Sequence, residues 1–371
     1  MDNIPASISE DKEFRVSLST HGMGLLIISC RSGLGQYGAR FGTNIAIFSI
    51  NRTEWVLTEH ACYMYGYISV PLYDTLGPEA IEYILSLADV QIVVASLEKT
   101  KSLLKIARKL SNLKLIICMD AVPGSVAEEG REYNIEVVTM RQVEATGREM
   151  PLNCAQTDSN TIATICFTSG TTGLPKGALL SHGNLLSFVG SVQEMQKEGI
   201  VPLFNSQETH ISYLPLAHIF ERIIQVAVTH SGGKIGFFQG DTLKLMDDIQ
   251  VLRPTIFPSV PRLYNRIYDK VMDGVKAKGG VAAYLFFKGY ERKKELLKEG
   301  KYQHFFWDAL VFNKIRAKLG GRVKLLVSGA APLGEHIVEF LRICFSTVFI
   351  EGYGQTETTG AACLVPFFLS T

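Results

Sequence analysis

The sequence has almost no excess of charge, no paired cysteine motif and no long apolar run. Its 371 residues carry 37 Lys and Arg against 36 Asp and Glu, so its net charge of +1 indicates no nucleic-acid partner. The seven cysteines include no CxxC pair, which favours reduced thiols in a cytosol-facing compartment over a disulfide framework. Residues 23–30 form the longest early apolar run, far below the roughly 20 residues of a spanning helix. The acidic first residues, MDNIPASISEDKEF, do not predict a signal peptide.

A hydrophobic fraction of 47% in a chain of this length predicts a globular protein of two or three domains. From residue 44 to about residue 200, short apolar strands alternate with amphipathic helices, which predicts a doubly wound parallel sheet. A second α/β unit is predicted beyond residue 200. Residues 23–30 are strand-like, and the charged residues 128–147 predict a surface loop.

Residues 162–184 predict a strand, a polar loop, a second short strand and then a helix. The loop offers backbone N–H groups beside glycines, four hydroxyl side chains and the ammonium of Lys176, which together suit a polyphosphate. Its residues are Thr168, Ser169, Gly170, Thr171, Thr172, Gly173, Leu174, Pro175 and Lys176. Ser181 is the predicted N-cap of the helix that follows.

Two better-known phosphate loops do not fit this sequence. A Walker A loop needs a glycine before its lysine and a helix directly after it, whereas Pro175 precedes Lys176 and a strand follows. Gly33, Gly35 and Gly38 form a literal G-x-G-x-x-G, but the next strand begins at Asn44. That spacing leaves no room for the helix of a dinucleotide-binding fold.

The segment TSGTTGLPKGALLSH resembles the phosphate loop of the AMP-forming adenylate synthetases, and further segments resemble the eukaryotic long-chain acyl-CoA synthetases. Those segments are residues 51–55, 69–77, 210–222 and 258–268. The resemblance implies two stacked doubly wound αβα subdomains of an acyl-adenylate synthetase N-terminal domain, lacking most of the β-barrel and the C-terminal domain. We therefore expect an atypical N-terminal segment at 1–40, a first subdomain at 41–200 and a second at 201–371.

Two later loops also follow predicted strands, where open α/β sheets bind ligands. Small residues in the first loop allow a flat ring to approach the backbone, and an aromatic ring in the second offers a stacking surface. The resemblance implies that these loops bind the nucleotide through Gly329, Ala330, Ala331, Pro332, Gly352, Tyr353, Gly354, Gln355 and Thr356. It further implies that Thr168 and Glu357 bind Mg²⁺, and that Lys176, Glu357 and His218 are catalytic.

Three features of the sequence each allow two interpretations. His218 is either a structural hydrogen bonder or lies near the fatty acid carboxylate, where the family places it. A group of aromatic residues either lines the acyl tunnel or belongs to the core; these are Phe237, Phe238, Phe257 and Tyr264. The lysine-rich residues 270–301 are either a solvated helix pair or a surface that rests on lipid headgroups.

The resemblance implies a long-chain fatty acid–CoA ligase that uses ATP, Mg²⁺ and CoA and forms an acyl-adenylate. It also implies a location on the cytoplasmic side of the endoplasmic reticulum or another organelle, peripheral to the membrane. Because the sequence ends at Thr371, before the family's ribose-binding aspartate and C-terminal lysine, we expect impaired activity of this chain alone. The alternatives are a non-catalytic nucleotide- and acyl-binding remnant, and a ligase with the substrate range of coumarate ligases or luciferases.

Overall fold

The computed structural model describes residues 18–168 and 174–366. In chain order the first half contains β1 (Leu18–Ser19), α1 (Thr20–Gln36), β2 (Asn44–Phe48), α2 (Thr53–Tyr65), β3 (Ile68–Leu72), α3 (Pro78–Leu87), β4 (Ile92–Ala95), α4 (Leu97–Leu104), β5 (Leu115–Cys118), α5 (Gly124–Glu132), β6 (Glu136–Thr139), α6 (Met140–Glu149), β7 (Ile162–Thr168), β8 (Lys176–Ser181) and α7 (His182–Lys197). A 3₁₀ turn at Ala107–Lys109 follows α4.

The second half contains β9 (Thr209–Ser212), α8 (Ile219–His230), β10 (Lys234–Phe237), α9 (Leu245–Leu252), β11 (Ile256–Ser259), α10 (Pro261–Lys278), α11 (Gly280–Lys298), α12 (Phe305–Trp307), α13 (Asn313–Arg316), β12 (Leu325–Ser328), α14 (Glu335–Phe345), β13 (Val348–Tyr353) and β14 (Cys363–Pro366). A π-helical turn, Asp308–Phe312, lies between α12 and α13, and 3₁₀ turns lie at Ala317–Leu319 and Thr356–Thr358.

Two seven-stranded sheets organise these elements. The first has the order β6-β5-β4-β2-β3-β7-β8 and is parallel except for β8, which pairs antiparallel with β7. The second has the order β1-β10-β9-β11-β12-β13-β14, and its two edge strands are the antiparallel ones. Every residue of β4, β5 and β12 is buried, as expected where helices cover both faces of a parallel sheet. The predicted α/β class is confirmed, and in the described residues neither sheet closes into a barrel.

The two sheets share one apolar core. A single cluster of buried side chains includes Ile45 and Trp55 from the first half with Ile235 and Leu325 from the second. Asn51 adds polar contacts across the same boundary. Its side-chain amide donates to the Leu214 carbonyl over 2.6 Å, and its side-chain oxygen accepts from the Leu216 N–H over 3.0 Å. The division of the chain at residues 40 and 200 remains a prediction.

Two local predictions are wrong. Residues 23–30 belong to the helix α1 rather than to a strand, and residues 128–147 contain parts of α5 and α6 and all of β6 rather than a surface loop. The second error arises because α5 and α6 bury few side chains and contain more charged than apolar residues. Gly33 and Gly35 lie within α1, which packs along α6, so this G-x-G-x-x-G serves helix packing.

The aromatic residues with two interpretations are core residues. Phe237, Phe238, Phe257 and Tyr264 are each at most 8% exposed, and the Tyr264 hydroxyl donates to the Phe257 carbonyl over 2.8 Å. The tunnel interpretation is therefore not supported at these positions. Across the described ranges, no helix combines the length and hydropathy that crossing a bilayer requires.

Candidate functional site

A cleft of about 640 Å³ lies where the carboxyl ends of strands from both sheets meet. Thr168 at the end of β7 lines it from the first sheet. His218, Ala330 and Glu357 line it from the second. These residues are up to 189 positions apart in the chain (168 to 357), yet they face one space. The structure therefore brings together residues from each of the three predicted ligand loops.

The predicted phosphate loop lies in the chain between two strands, β7 and β8, which form an antiparallel pair. Thr168 pairs with Lys176 in register, and the Thr168 hydroxyl lies 3.5 Å from the Lys176 carbonyl. Lys176, the first residue of β8, is exposed, and Pro175 lines the cleft. Ser169, Gly170, Thr171, Thr172 and Gly173 lie outside the described residues. The predicted strand–loop–strand–helix order is confirmed, with Ser181 and Asn184 forming a capping box at the start of α7.

The loop after β12 carries a backbone conformation that is uncommon for a residue with a side chain. Ala330 has φ = 73°, in the left-handed region. Gly329 and Ala330 line the cleft, whereas Ala331 and Pro332 are exposed and lie next to it in the chain. The small side chains at this turn leave room for a flat ligand against the backbone.

The loop after β13 is a compact hydrogen-bonded turn. The Gly360 N–H donates to the Gln355 carbonyl over 2.9 Å, and the Ala362 N–H donates to the Tyr353 carbonyl over 2.9 Å. These bonds bring Gly354 against Gly360, where a Cβ atom on Gly354 would lie 1.5 Å from the Gly360 carbonyl oxygen. The turn thereby presents the exposed carboxylate of Glu357 to the cleft.

Most of the other residues of this loop line the cleft, and one lies at its rim. Gly352, Gly354, Gln355 and Thr356 line the cleft. Tyr353 is 68% exposed and lies outside the lining, so its ring is accessible beside the site. The strand β13 extends to Tyr353, so Gly352 and Tyr353 belong to the end of the strand rather than to the loop.

His218 is both a helix cap and a wall of the cleft. It is the N-cap of α8, and its Nδ1 accepts a hydrogen bond from the Phe220 N–H over 3.1 Å. Burial lowers the pKa of the imidazole. A neutral ring that accepts at Nδ1 carries its proton on Nε2, so His218 is suited to donate to an anionic ligand.

The donor set of the cleft fits Mg²⁺ held jointly with phosphates. Thr168 supplies a hydroxyl oxygen and Glu357 a carboxylate, both hard oxygen ligands. Among the described residues no cluster of three or more His, Cys, Asp or Glu could hold a metal alone. Mg²⁺ commonly binds through one or two carboxylates plus substrate phosphates, so this sparse set is adequate.

The remaining lining is mostly apolar, and sequence reasoning did not identify it. It comprises Pro71, Leu76, Ile84, Phe167, Phe188, Ile219, Phe220, Ile223, Ile224, Val327, Ala361 and Leu364. Tyr73 also lines the cleft, and burial raises the pKa of its phenol to about 12, so it remains a neutral donor. The sequence signals were the resemblances of residues 69–77 and 210–222 to family segments, which contain part of this lining.

Comparison with known proteins identifies the family. The family model described as AMP-binding enzyme matches residues 29–369. "Long chain acyl-CoA synthetase 6, peroxisomal" of Arabidopsis thaliana is 43% identical over 328 residues, which are 88% of this chain and 46% of that protein. "Long-chain-fatty-acid–CoA ligase 1" of Homo sapiens is 43% identical over 324 residues, with coverage of 86% and 46%. The chain spans about half the length of these curated relatives.

The fold agrees with solved structures. The A domain of carboxylic acid reductase from Segniliparus rugosus, in complex with AMP and a co-purified carboxylic acid, superposes with a TM-score of 0.68 at 21% identity. The match covers 91% of this chain and 52% of that chain. The family model spans most of the sequence, and the chain therefore belongs to the AMP-binding enzyme family.

Proposed function

We propose that this chain is the nucleotide- and acyl-binding part of a long-chain fatty acid–CoA ligase. The observation that carries the proposal is the single cleft in which the ends of three loops meet beside an apolar wall. Both curated relatives are named for activity on long-chain fatty acids, and the reductase domain was solved with AMP and a carboxylic acid. A cleft with polar loops and an apolar wall suits a substrate with a carboxylate head and an alkyl chain.

The proposed reaction has two steps. The fatty acid carboxylate attacks the α-phosphorus of ATP, which forms an acyl-adenylate and releases pyrophosphate. The CoA thiol then attacks the acyl carbon and displaces AMP.

The chain's own residues orient the reactants. The loop that begins at Thr168, with Lys176, holds the β- and γ-phosphates. Gly329, Ala330 and the exposed ring of Tyr353 hold the adenine. His218, as a neutral donor, holds the fatty acid carboxylate.

Glu357 and Thr168 are the proposed ligands of Mg²⁺. When bound there, Mg²⁺ neutralises charge on the phosphates. The apolar lining excludes water, which protects an acyl-adenylate against hydrolysis.

Calorimetry with a non-hydrolysable palmitoyl-adenylate analogue tests the proposal, and AMP serves as the reference ligand. We expect the analogue to bind more tightly than AMP, because its chain contacts the apolar wall. Equal affinities would contradict an acyl site in this cleft. ATP–pyrophosphate exchange with palmitate on the same sample then separates a ligase from the non-catalytic alternative, because only the ligase exchanges label.

Glu357→Gln is the matched variant for the exchange measurement. It removes the charge of an exposed side chain without changing its size, so folding should be unaffected. We expect a loss of about 100-fold in palmitate-dependent exchange, the usual effect of removing one electrostatic group from an active site. Undiminished exchange in this variant would exclude Glu357 from the metal site.

We also propose that the exposed tip of the α10–α11 hairpin contacts an anionic phospholipid surface. Val281, Tyr284 and Phe287 are 74%, 61% and 48% exposed and recur at three-residue intervals along α11. Lys278 ends α10, and Lys288 lies 5.7 Å from the centre of the Tyr284 ring. Exposed apolar side chains flanked by lysines are typical of surfaces that rest on lipid headgroups.

Co-sedimentation with vesicles tests this contact. We expect binding to vesicles that contain phosphatidylserine, weakened by Val281→Asp combined with Phe287→Asp, and little binding to neutral phosphatidylcholine. Leu243→Asp is the matched control, because Leu243 is 85% exposed elsewhere on the surface. Equal binding of both variants would contradict the assignment of this surface.

A further inference from the structure

A fully buried arginine lies at the base of the cleft and contacts the strand that ends at Thr168. Arg222, in α8, is 0% exposed. Its Nη1 donates to the Thr164 hydroxyl over 3.0 Å and to the Cys166 sulfur over 2.9 Å. Successive side chains of a strand alternate between its faces, so Thr164, Cys166 and Thr168 lie on one face of β7. Arg222 thus holds the two residues that precede Thr168 on that face.

The other side of the same guanidinium contacts α2 and β3. Its Nη2 pairs with the Glu59 carboxylate, donates to the Tyr63 hydroxyl over 3.0 Å, and lies 3.3 Å from the Ser69 hydroxyl. Ser69 and Pro71 share a face of β3 by the same alternation, and Pro71 lines the cleft. One side chain therefore holds two neighbouring strands just below the cleft.

Arg222 also belongs to the opposite wall. It lies one helical turn after His218, and Ile219, Phe220 and Ile223 on the same helix line the cleft. The guanidinium is thus a direct polar link between the strand that presents Thr168 and the helix that presents His218. The Glu59 and Arg222 side chains come from elements on different sides of the boundary between the two sheets.

The charge of this link persists at all relevant pH values. Burial acts to lower the pKa of Arg222, but attraction to Glu59 outweighs it, and the pKa lies well above its ordinary value. A buried ion pair is weak evidence for stability, because apolar replacements of similar volume are often as stable. Its directional bonds to β3, β7 and α2 instead suit a role in geometry, since a planar guanidinium fixes the directions of its donors.

We propose that Arg222 is a positioning residue, which sets the separation of Thr168 and His218 across the cleft and thereby the alignment of ATP with the carboxylate. This inference rests on the proposed function for the identity of the ligands. The link itself consists of contacts present in the chain without ligand.

Arg222→Lys, compared with Lys293→Met, tests the proposal. Lysine keeps the charge but cannot donate to β3, β7 and α2 at once. Lys293 is the matched control, because it is a buried cation paired with Asp308 over 2.6 Å and does not line the cleft. Two readouts are needed, namely hydrogen exchange of peptides that cover residues 162–168, and the affinity for Mg·ATP measured well below the unfolding temperature.

We expect Arg222→Lys to accelerate exchange at the carboxyl end of β7 and to weaken ATP binding about 10-fold, because small displacements of aligned groups are costly. Lys293→Met should lower the unfolding temperature yet leave both readouts within about twofold of the parent chain. Unchanged ATP affinity in Arg222→Lys would overturn the positioning role, whether or not exchange accelerates.

Thr164→Val provides the second variant if Arg222→Lys does not fold. It keeps every charge and removes one hydroxyl on β7, which accepts from Arg222 and donates to the Ser69 carbonyl over 2.9 Å. The same two readouts apply to it, with the same expected directions. Should the parent chain fail to bind ATP, the proposed function fails, whereas unchanged exchange at residues 162–168 in these variants would still refute the link itself.

Discussion

Two pairs of glycines approach each other closely in this molecule, one at a helix crossing and one beside the cleft. Between α1 and α6, a Cβ atom on Gly33 would lie 2.0 Å from the Val143 carbonyl oxygen, and one on Gly147 would lie 1.9 Å from the Ser29 carbonyl oxygen. In the turn after β13, a Cβ atom on Gly354 would lie still closer to Gly360, 1.5 Å from its carbonyl oxygen. The first pair lets two helices pack, whereas the second lets a loop present Glu357.

The difference shows that the position of a glycine relative to a strand end decides its role. Gly33 and Gly35 match a nucleotide-binding motif in sequence, but they lie inside α1, and the strand before α1 in the chain is the antiparallel edge strand β1. Gly354 directly follows β13, in a loop that the family resemblance assigns to the nucleotide, and Gly360 ends the same turn. In an open α/β sheet the edge formed by the strand ends is where ligands bind. Substitutions at the crossing should therefore change stability, and those at the turn should change ligand binding.

Gly147→Ala is the largest expected perturbation that separates the two regions. The added methyl group meets backbone at the helix crossing, which cannot move aside as a side chain can, so we expect a loss of about 3 kcal/mol in the free energy of unfolding. Gly190→Ala, within α7, is the matched control, because its Cβ atom would meet no atom within 4 Å. That control should gain up to about 1 kcal/mol from helix propensity.

Urea unfolding measures both variants, and ATP binding below the transition shows whether the cleft is affected. Equal urea midpoints for Gly147→Ala and the parent chain would mean that the helices do not cross as closely as described. A loss of ATP affinity in the folded fraction would mean that the helix crossing and the cleft are coupled. That result would contradict the separate roles of the two glycine pairs.

The strands of the sheets were predicted from the sequence more reliably than the outer helices. The strands β2 and β7 were predictable because short runs of mostly apolar residues are typical of strands buried on both faces. By contrast, residues 23–30 are also continuously apolar yet form a helix, because periodicity alone does not distinguish a buried helix from a strand. Residues 128–147 failed in the opposite direction, because charged residues outnumber apolar ones in α5 and α6, and the charge was interpreted as a loop.

The positions of the cleft loops were predictable from their residue types together with the family resemblance, but the contacts that support these loops were not. Thr168, Ala330 and Glu357 belong to long motifs of small, hydroxyl and acidic residues after strands. Arg222 contacts Glu59, which is 163 positions away in the chain, so no local pattern predicts the pair. A faint signal existed, because Arg222 lies among the isoleucines of α8, whose side chains are buried, and an unpaired charge there would be costly.

The smallest expected effect is at His218, whose side chain both stabilises α8 and lines the cleft. Burial lowers the pKa of His218 in the folded chain. At a pH below the ordinary histidine pKa of about 6.5, the unfolded chain therefore binds a proton more readily than the folded chain does. Stability should therefore fall as pH drops from 7 towards 5, because protonation removes the acceptor for the Phe220 N–H and adds positive charge at a helix N-terminus. His60 and His182, whose pKa values burial also lowers, add to this dependence of stability on pH.

His218→Gln should reduce the dependence of stability on pH by about 1 kcal/mol, whereas His230→Gln, at the other end of α8, should leave this contribution in place. Urea midpoints at pH 7 and pH 5.5 measure the difference, and identical slopes for the parent chain and His218→Gln would show that His218 does not cap α8 as a neutral ring.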